Sequence, residues 1–449
     1  MKFKRSKVLF LVFCCLLLLI SIGSISAADI NGSDVNDEIT SDINNNQHDF
    51  SSENIQETKA IKKLDSTNIS KEGILKKKKN TINKNIKSNQ NKTVKKADVP
   101  YNVNDFNSLR TTWEQIQTSG STSDNYIINL AEGTYTFTTQ LTSTSTLHLN
   151  ITINGGNPAN TIFDGQGNVR FFDIQSQDIT LNNITFRNGF VRESQGGAIS
   201  LSQGNIHITN STFRNNTAIS TESSTIYNAI SGGALYIANS TNSVLINNTF
   251  NNNSAQGMND TYGGAIAFMD SENPNVLNCS FINNYAQSQT GTSYGGAIYA
   301  TSGISVSNSN FTNNRVRSYS YTYGGAIVIF RNSQIINSNF INNLADGSDG
   351  NAGEAGAIYH LGATLTIRNS TFNNNEVRGK DESHGGAISD ATSLIYIYDS
   401  TFSNNKVDSS SNSSYGGALY LQSSQLQSYN TIFDNKKLWG SYIHYRIKY

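Results

Sequence analysis

A four-residue phrase recurs along this chain and limits its fold more than any other feature. Gly-Gly-Ala-Ile or Gly-Gly-Ala-Leu begins at Gly196, Gly232, Gly263, Gly295, Gly324, Gly385 and Gly416, and Ala355-Gly356-Ala357-Ile358 is a degenerate copy. Successive spacings are 36, 31, 32, 29, 31, 30 and 31 residues. A Phe-x-Asn unit alternates with it, at Phe186, Phe213, Phe250, Phe281, Phe311, Phe340, Phe372, Phe402 and Phe433, always 16 to 18 residues after the preceding Gly-Gly where one exists. Biased composition does not produce such regular intervals. A period of this length marks one supersecondary unit that buries its apolar face only by stacking on its neighbours.

Within each unit the apolar residues sit two apart, as in Leu235 with Ile237, Ile266 with Phe268 and Ile304 with Val306. That places them on one face of short strands. The following Phe breaks the parity, which marks a corner. A propeller blade needs about 40 residues and four strands. Here a unit of about thirty residues, less a variable stretch such as 218–230 or 318–323 between the Asn-Asn pair and the next Gly-Gly that is expected to loop out from one corner, holds one turn of a parallel coil. Stacked turns repeat every ~4.8 Å, so equivalent side chains form ladders. Ile and Phe ladders fill the interior, Asn ladders hydrogen-bond along the axis, and Gly serves corners that need positive φ or a close backbone approach. The expected architecture is all-β: a right-handed parallel β-helix solenoid of about eleven coils over residues 98–449. Residues 147–186 supply coils before the first Gly-Gly. Phe106, Leu109, Trp113 and Ile116 lie at helical spacing behind Asn104 or Asp105, which predicts a short N-terminal helix capping the open end.

The segments before the repeats have other duties. Lys2, Lys4, Arg5 and Lys7, the apolar run from Val8 to Ile22 and Ser26-Ala27-Ala28 have the order of a secretory signal peptide over 1–28. The run is shorter than the ~20 residues that span a bilayer, so no membrane span is expected after cleavage. Residues 29–58 hold eight acids and no Lys or Arg, and residues 59–96 hold thirteen Lys and two acids. With few aromatics, 29–97 is expected to be a disordered, low-complexity charged linker. Its Lys76–Lys79 run serves as a spacer or as a tether to an anionic surface. The whole chain balances 33 basic against 33 acidic side chains, so no field draws it to nucleic acid. Cys14 and Cys15 fall in the leader. That leaves Cys279, in a slot where other units carry Ser or Asn, as a small packed residue without a disulfide partner.

The paired motifs Gly-Gly-Ala-Ile and Phe-x-Asn-Asn resemble the polymorphic outer-membrane-protein repeat of chlamydial surface adhesins, over about residues 125–436. The Asn-, Lys- and Ile-rich composition, leader and linker look like the adhesin-like surface proteins of methanogenic archaea. The resemblance implies a β-helix at the cell surface. The chlamydial proteins end in a membrane β-barrel, for which this sequence shows no pattern. Ile443, Tyr445, Ile447 and Tyr449 alternate as one final strand.

This fold also carries polysaccharide lyases and hydrolases. Ile162-Phe163-Asp164-Gly165-Gln166-Gly167 resembles an early-coil segment of pectin-degrading hydrolases, where it is structural; their catalytic Asn-Thr-Asp, Asp-Asp and Gly-His-Gly segments have no match. Sugar hydrolysis requires paired carboxylates, and the coil surfaces are dominated by Ser, Thr, Asn and Tyr. His360 and His384 occupy different slots and are expected at the surface. Asp346, Asp349 and Glu354 have the residue types of a calcium site but not the Gly-Gly-x-Gly-x-Asp spacing. No catalytic, cofactor-binding or metal-binding residues are expected, and no cofactor. Sequons at Asn150, Asn183, Asn247, Asn369 and Asn412 are candidate glycan acceptors. Tyr262, Tyr294, Tyr323 and Tyr415 each precede a Gly-Gly and are expected to stack on one corner, as a shield or a sugar-binding strip. The sequence therefore suggests a non-enzymatic adhesin-like rod, or a purely structural envelope component. The partners would be glycans or proteins on other cells, or its own cell wall.

Overall fold

A computed structural model describes residues 96–221, 229–410 and 413–434, together with the backbone of a last strand at 444–448. The expected leader, all but the last residues of the linker, and Asn412 lie outside the described residues. No helix among the described residues is long and apolar enough to cross a membrane.

The repeats fold as a parallel β-solenoid. The coil that starts at Gly232 shows the plan. Leu235–Ala238 and Val244–Ile246 lie in a long sheet of 21 strands. Thr249–Asn251, with Phe250 inward, joins an 11-stranded sheet, one strand for each coil. Ser254–Gly257 and Thr261–Tyr262 enter sheets of eight and seven strands. Pairing runs in register from coil to coil, as in Leu235 to Ile266 and Phe250 to Phe281. From Phe186 to Phe433 the rings stack at 4.5–4.9 Å with interplanar angles of 0–20°. Successive rings thus lie nearly parallel, each one coil above the last.

The corners are made by residues that tolerate positive φ. Asn247 (57°) and Asn252 (54°) bracket the Phe strand, and Gly263 (67°) closes the coil. The second Gly of each pair answers a different need. A Cβ on Gly264 would lie 2.2 Å from the carbonyl oxygen of Gly296 in the next coil. At the degenerate copy Ala355 itself holds φ 61°.

Two features differ from the sequence-based expectation. The variable stretch between Asn-Asn and Gly-Gly is not a plain loop. Its two short strands fold into a thin lobe, and Ala286, Val316, Ala345 and Val377 form a small core there, separate from the main one. Their partners across the lobe are buried Ser and Thr, such as Ser293 and Thr322, so no apolar alternation announces these strands. The first strand also precedes the helix. β1 (Ala97–Val103) pairs in parallel with β2 (Asp124–Leu130), with α1 (Phe106–Ser119) between them. Pro100 argues against a strand, yet an edge strand accommodates a residue without an N–H.

The expected cap is present. Asp105 and Ser108 form a capping box at the start of α1. Phe106, Leu109, Trp113 and Ile116 are buried, with Phe106 4.5 Å from Phe137 and Trp113 5.4 Å from Phe172. Gln117 and Gln177 share a buried amide contact at 2.9 Å, which satisfies polar groups at the closed end. At the other end, His444–Lys448 pairs with Gln425–Tyr429, in agreement with the expected final strand.

Candidate functional site

The motif residues prove to be scaffold. Asn216, Asn253, Asn284, Asn314, Asn343 and Asn375 form a buried column. Asn314 is typical: its Nδ2 donates to Phe281 O at 2.9 Å and to Asn343 Oδ1 at 3.0 Å. Its Oδ1 accepts from Asn284 N at 3.1 Å and Asn284 Nδ2 at 2.9 Å. Every hydrogen-bonding capacity of the amide is met inside the rod. A second column contains Ser211, Asn248, Cys279, Ser309, Ser338 and Ser370, whose backbone N–H groups bond to the side chain above, as in Cys279 N to Ser309 Oγ at 3.0 Å. Cys279 thus fills a Ser slot as expected, and burial pushes its thiol up to about 11.

This column also explains the sequons. In Asn247-Asn248-Thr249 and Asn369-Ser370-Thr371, an exposed Asn turns the corner at positive φ, a ladder residue follows, and a Thr opens the Phe strand. The fold itself calls for Asn-x-Ser/Thr there, so the frequency of the motif is no sign of modification.

The outer surface is where the coils differ. Tyr262, Tyr294 and Tyr323 stack as expected, at 5.0 and 5.2 Å with interplanar angles of 12° and 10°. They reach across the Gly-Gly corner to Tyr299 and Tyr359 on the long sheet, each at 4.7 Å. Burial pushes all five phenols well above their ordinary value. Their faces are taken up by one another, so this flank is a shield and not an open stacking platform. Glu354 and His384 occupy the next two rungs, and His384 lies against Tyr420 at 4.1 Å. Tyr415 follows His384 at 5.4 Å.

The histidines are not free surface groups. His360 takes the place of Ile329 in an inward column, with Asp390 above it, and both are fully buried. The His384 side chain is only 13% exposed, with Glu354 3.8 Å from its Nδ1. The strand alternation that buries Ile329 buries its successors whatever their polarity, and a single sequence does not display that register.

The carboxylates considered for calcium are engaged elsewhere. Burial opposes ionisation of Asp346, yet Ser348 and Arg315 hold its carboxyl below its ordinary value. Asp349 pairs with Arg317, while Glu354 lies on the other side of the lobe and accepts from Ser389 Oγ at 3.0 Å. Asp164 of the Ile-Phe-Asp-Gly segment accepts from Gln166 N, Arg187 Nε and Asn188 Nδ2, a structural role. A shallow groove of about 380 Å³ holds Asp270, Glu272, Thr301 and Arg331. Among the described residues no group of His, Cys, Asp or Glu is arranged to hold a metal ion.

These features define a parallel β-solenoid whose repeat motif is its architecture and whose variation lies on lobe and flank. Residues 278–301 and 399–422, each running from one Asn corner through the Phe strand and lobe to the Gly-Gly strand, match the family model described as the Chlamydia polymorphic membrane protein repeat. The chain therefore carries repeats of the type found in a family of cell-surface outer-membrane proteins. No curated protein sequence matches it. Among solved structures, one described as "a new PL6 alginate lyase complex with trisaccharide" aligns over 76% of this chain and 88% of its own, at 13% identity and a TM-score of 0.30. That likeness is too low to bear on chemistry.

Proposed function

We propose that the protein is an exported, surface-displayed rod that acts by adhesion and not by catalysis. The observation that carries this reading is the pair of matches to the polymorphic-membrane-protein repeat, each of which spans most of one coil. The rod is stiffened from within by amide, hydroxyl and phenyl ladders, and it varies from coil to coil at the lobe tips. Its partners on this reading are glycans or proteins of other cells, or the producer's own wall.

Two measurements test it together. Antibody labelling of intact producing cells, with and without protease shaving, reports surface display. Binding of the purified chain to intact cells and isolated walls reports adhesion, while the same incubations are assayed for new reducing ends or unsaturated sugars. Saturable binding without product is expected. Released product overturns the reading in favour of a lyase or hydrolase, and labelling confined to permeabilised cells overturns the surface assignment.

A further inference from the structure

On the outer face of the long sheet, one pair of tyrosines meets an arginine. Tyr396 and Tyr398 alternate with the buried Ile395 and Ile397 in the strand Ile388–Tyr398, so both face outward. Their rings are parallel to within 5°, with centroids 6.3 Å apart. Register sets Thr366 and Arg368 of the preceding coil against them. The Arg368 guanidinium lies over the Tyr398 ring, 4.2 Å from its centroid. The next rung brings Gln427 and Tyr429 to the same two columns, and Tyr429 is 54% exposed.

The solenoid does not require these side chains. Ser305 and Ser307 hold the same two places in one coil, and Gln334 and Ile336 in the next. Arg315, Arg317 and Arg378 on the lobe each have a carboxylate partner. Arg368 is exposed and has neither an ion-pair partner nor a hydrogen-bond acceptor for its side chain among the described residues. From Thr180 to Gln427 and from Asn182 to Tyr429, the two outward columns hold no Asp or Glu. By register, Arg446 and Lys448 take these places in the last strand. Asp399, at the corner after Tyr398, accepts from Asn430 Nδ2 at 2.7 Å.

We infer that Arg368, Tyr396 and Tyr398 form a binding site for an acidic oligosaccharide, with Tyr429 extending the same face. A guanidinium held over an aromatic ring keeps its N–H donors for a carboxylate or sulfate. The tyrosines supply rigid contact area for the C–H face of a sugar ring and hydroxyls for its polar edge. The strand that carries them is paired on both sides, which lowers the ordering cost of binding. An uncompensated cation on a face without carboxylates favours uronic or sulfated sugars over neutral ones. The site deepens the adhesive reading above and rests on it.

The test uses the purified full chain against immobilised oligogalacturonate and heparin, which separate carboxylate from sulfate, with cellohexaose as the neutral probe and single-stranded DNA as an unrelated polyanion. Arg368→Gln should weaken binding of an acidic probe by about tenfold, and Tyr396→Ala/Tyr398→Ala by a similar factor, each with the melting curve of the parent. Lys380→Gln, an exposed cation on the lobe, should bind as the parent does. Parent-like binding by Arg368→Gln overturns the site, and so does an equal loss with Lys380→Gln, which would mark a diffuse charge effect. Cellohexaose bound as tightly as the acidic probes overturns the acidic class, and DNA bound more tightly than either overturns the sugar. A parent that binds cells but neither acidic probe overturns this site and leaves the adhesive reading intact. A parent that binds neither cells nor walls removes the adhesive reading and the site with it.

Discussion

Nδ1 of His360 lies 2.5 Å from Oδ2 of Asp390, in a column otherwise lined by residues such as Ile237, Phe268, Ile329 and Leu421. Nε2 faces the carbonyl oxygen of Arg331 at 3.0 Å. A carbonyl only accepts, so Nε2 carries a proton. One further proton is shared between Nδ1 and the carboxylate, whose other oxygen accepts from Ser424 Oγ at 2.5 Å. The pair is neutral overall, which makes its burial tolerable. Removing either partner strands the other in the core. His360→Leu or Asp390→Leu alone is therefore expected to cost about 3–5 kcal/mol, and the double replacement by Leu to be near neutral or stabilising. Denaturant midpoints and hydrogen exchange in the flanking coils measure this. A double variant as unstable as either single one would show that the pair has another role.

The Asn column makes a parallel prediction for the corner beside the Phe strand. Asn314→Leu removes the partner of Phe281 O and of both Asn284 donors. Each orphaned buried group costs about 1–3 kcal/mol. Stacked units communicate only through their neighbours, so amide exchange should accelerate in the coils around 284–343 and little beyond. Uniform acceleration along the rod would contradict the ladder as a local nearest-neighbour device.

At the degenerate corner, Ala355 carries a positive φ where other units carry Gly. Ala355→Gly should stabilise by about 1 kcal/mol, because the left-handed conformation is strained for a residue with a Cβ. The reverse change at Gly324 should destabilise by more, since the added Cβ meets Ile327 O at 2.2 Å. Thermal melts of the two variants, compared with the parent, decide this. Equal and opposite shifts would mean that φ alone matters.

Cys279 supplies a pH prediction. Burial pushes its thiol from 9.0 up to about 11. The folded state favours the protonated form, so the contribution is complete below about pH 9 and is lost as pH rises towards about 11. The native thiol should stay unreactive to thiol reagents at neutral pH and react once denaturant is added. Cys279→Ser should fold normally, because Ser309 and Ser338 occupy the same column, and it should remove this part of the alkaline loss. Rapid labelling of the native protein would refute the assignment.

Legibility followed side-chain chemistry. The Phe column, the Tyr stack, the Ser-like place of Cys279 and the cap built on Asp105 and Trp113 were all readable, because each rests on a residue type that repeats at the period or fits a helix start. The lobe was not readable. Ala286, Ser293, Val316 and Thr322 are too small or too polar to mark strands by hydrophobic alternation. β1 was not read, since the expected first strand followed the helix, and His360 was misplaced because its burial is set by register against Ile329.

What the sequence determined alone is therefore the solenoid: its period, its number of coils, its interior ladders and the positions of its corners. These follow from the ~4.8 Å stacking of equivalent residues, which forces like upon like and writes itself into the chain as repetition. Only the tertiary structure decided which departures from the repeat lie inside and which face solvent. The paired His360 and Asp390 are sealed in the core, the flank tyrosines cover one another, and Arg368 lies over Tyr398 on the outer face. Those outcomes depend on contacts between coils about thirty residues apart, and a pattern read along one strand does not contain them.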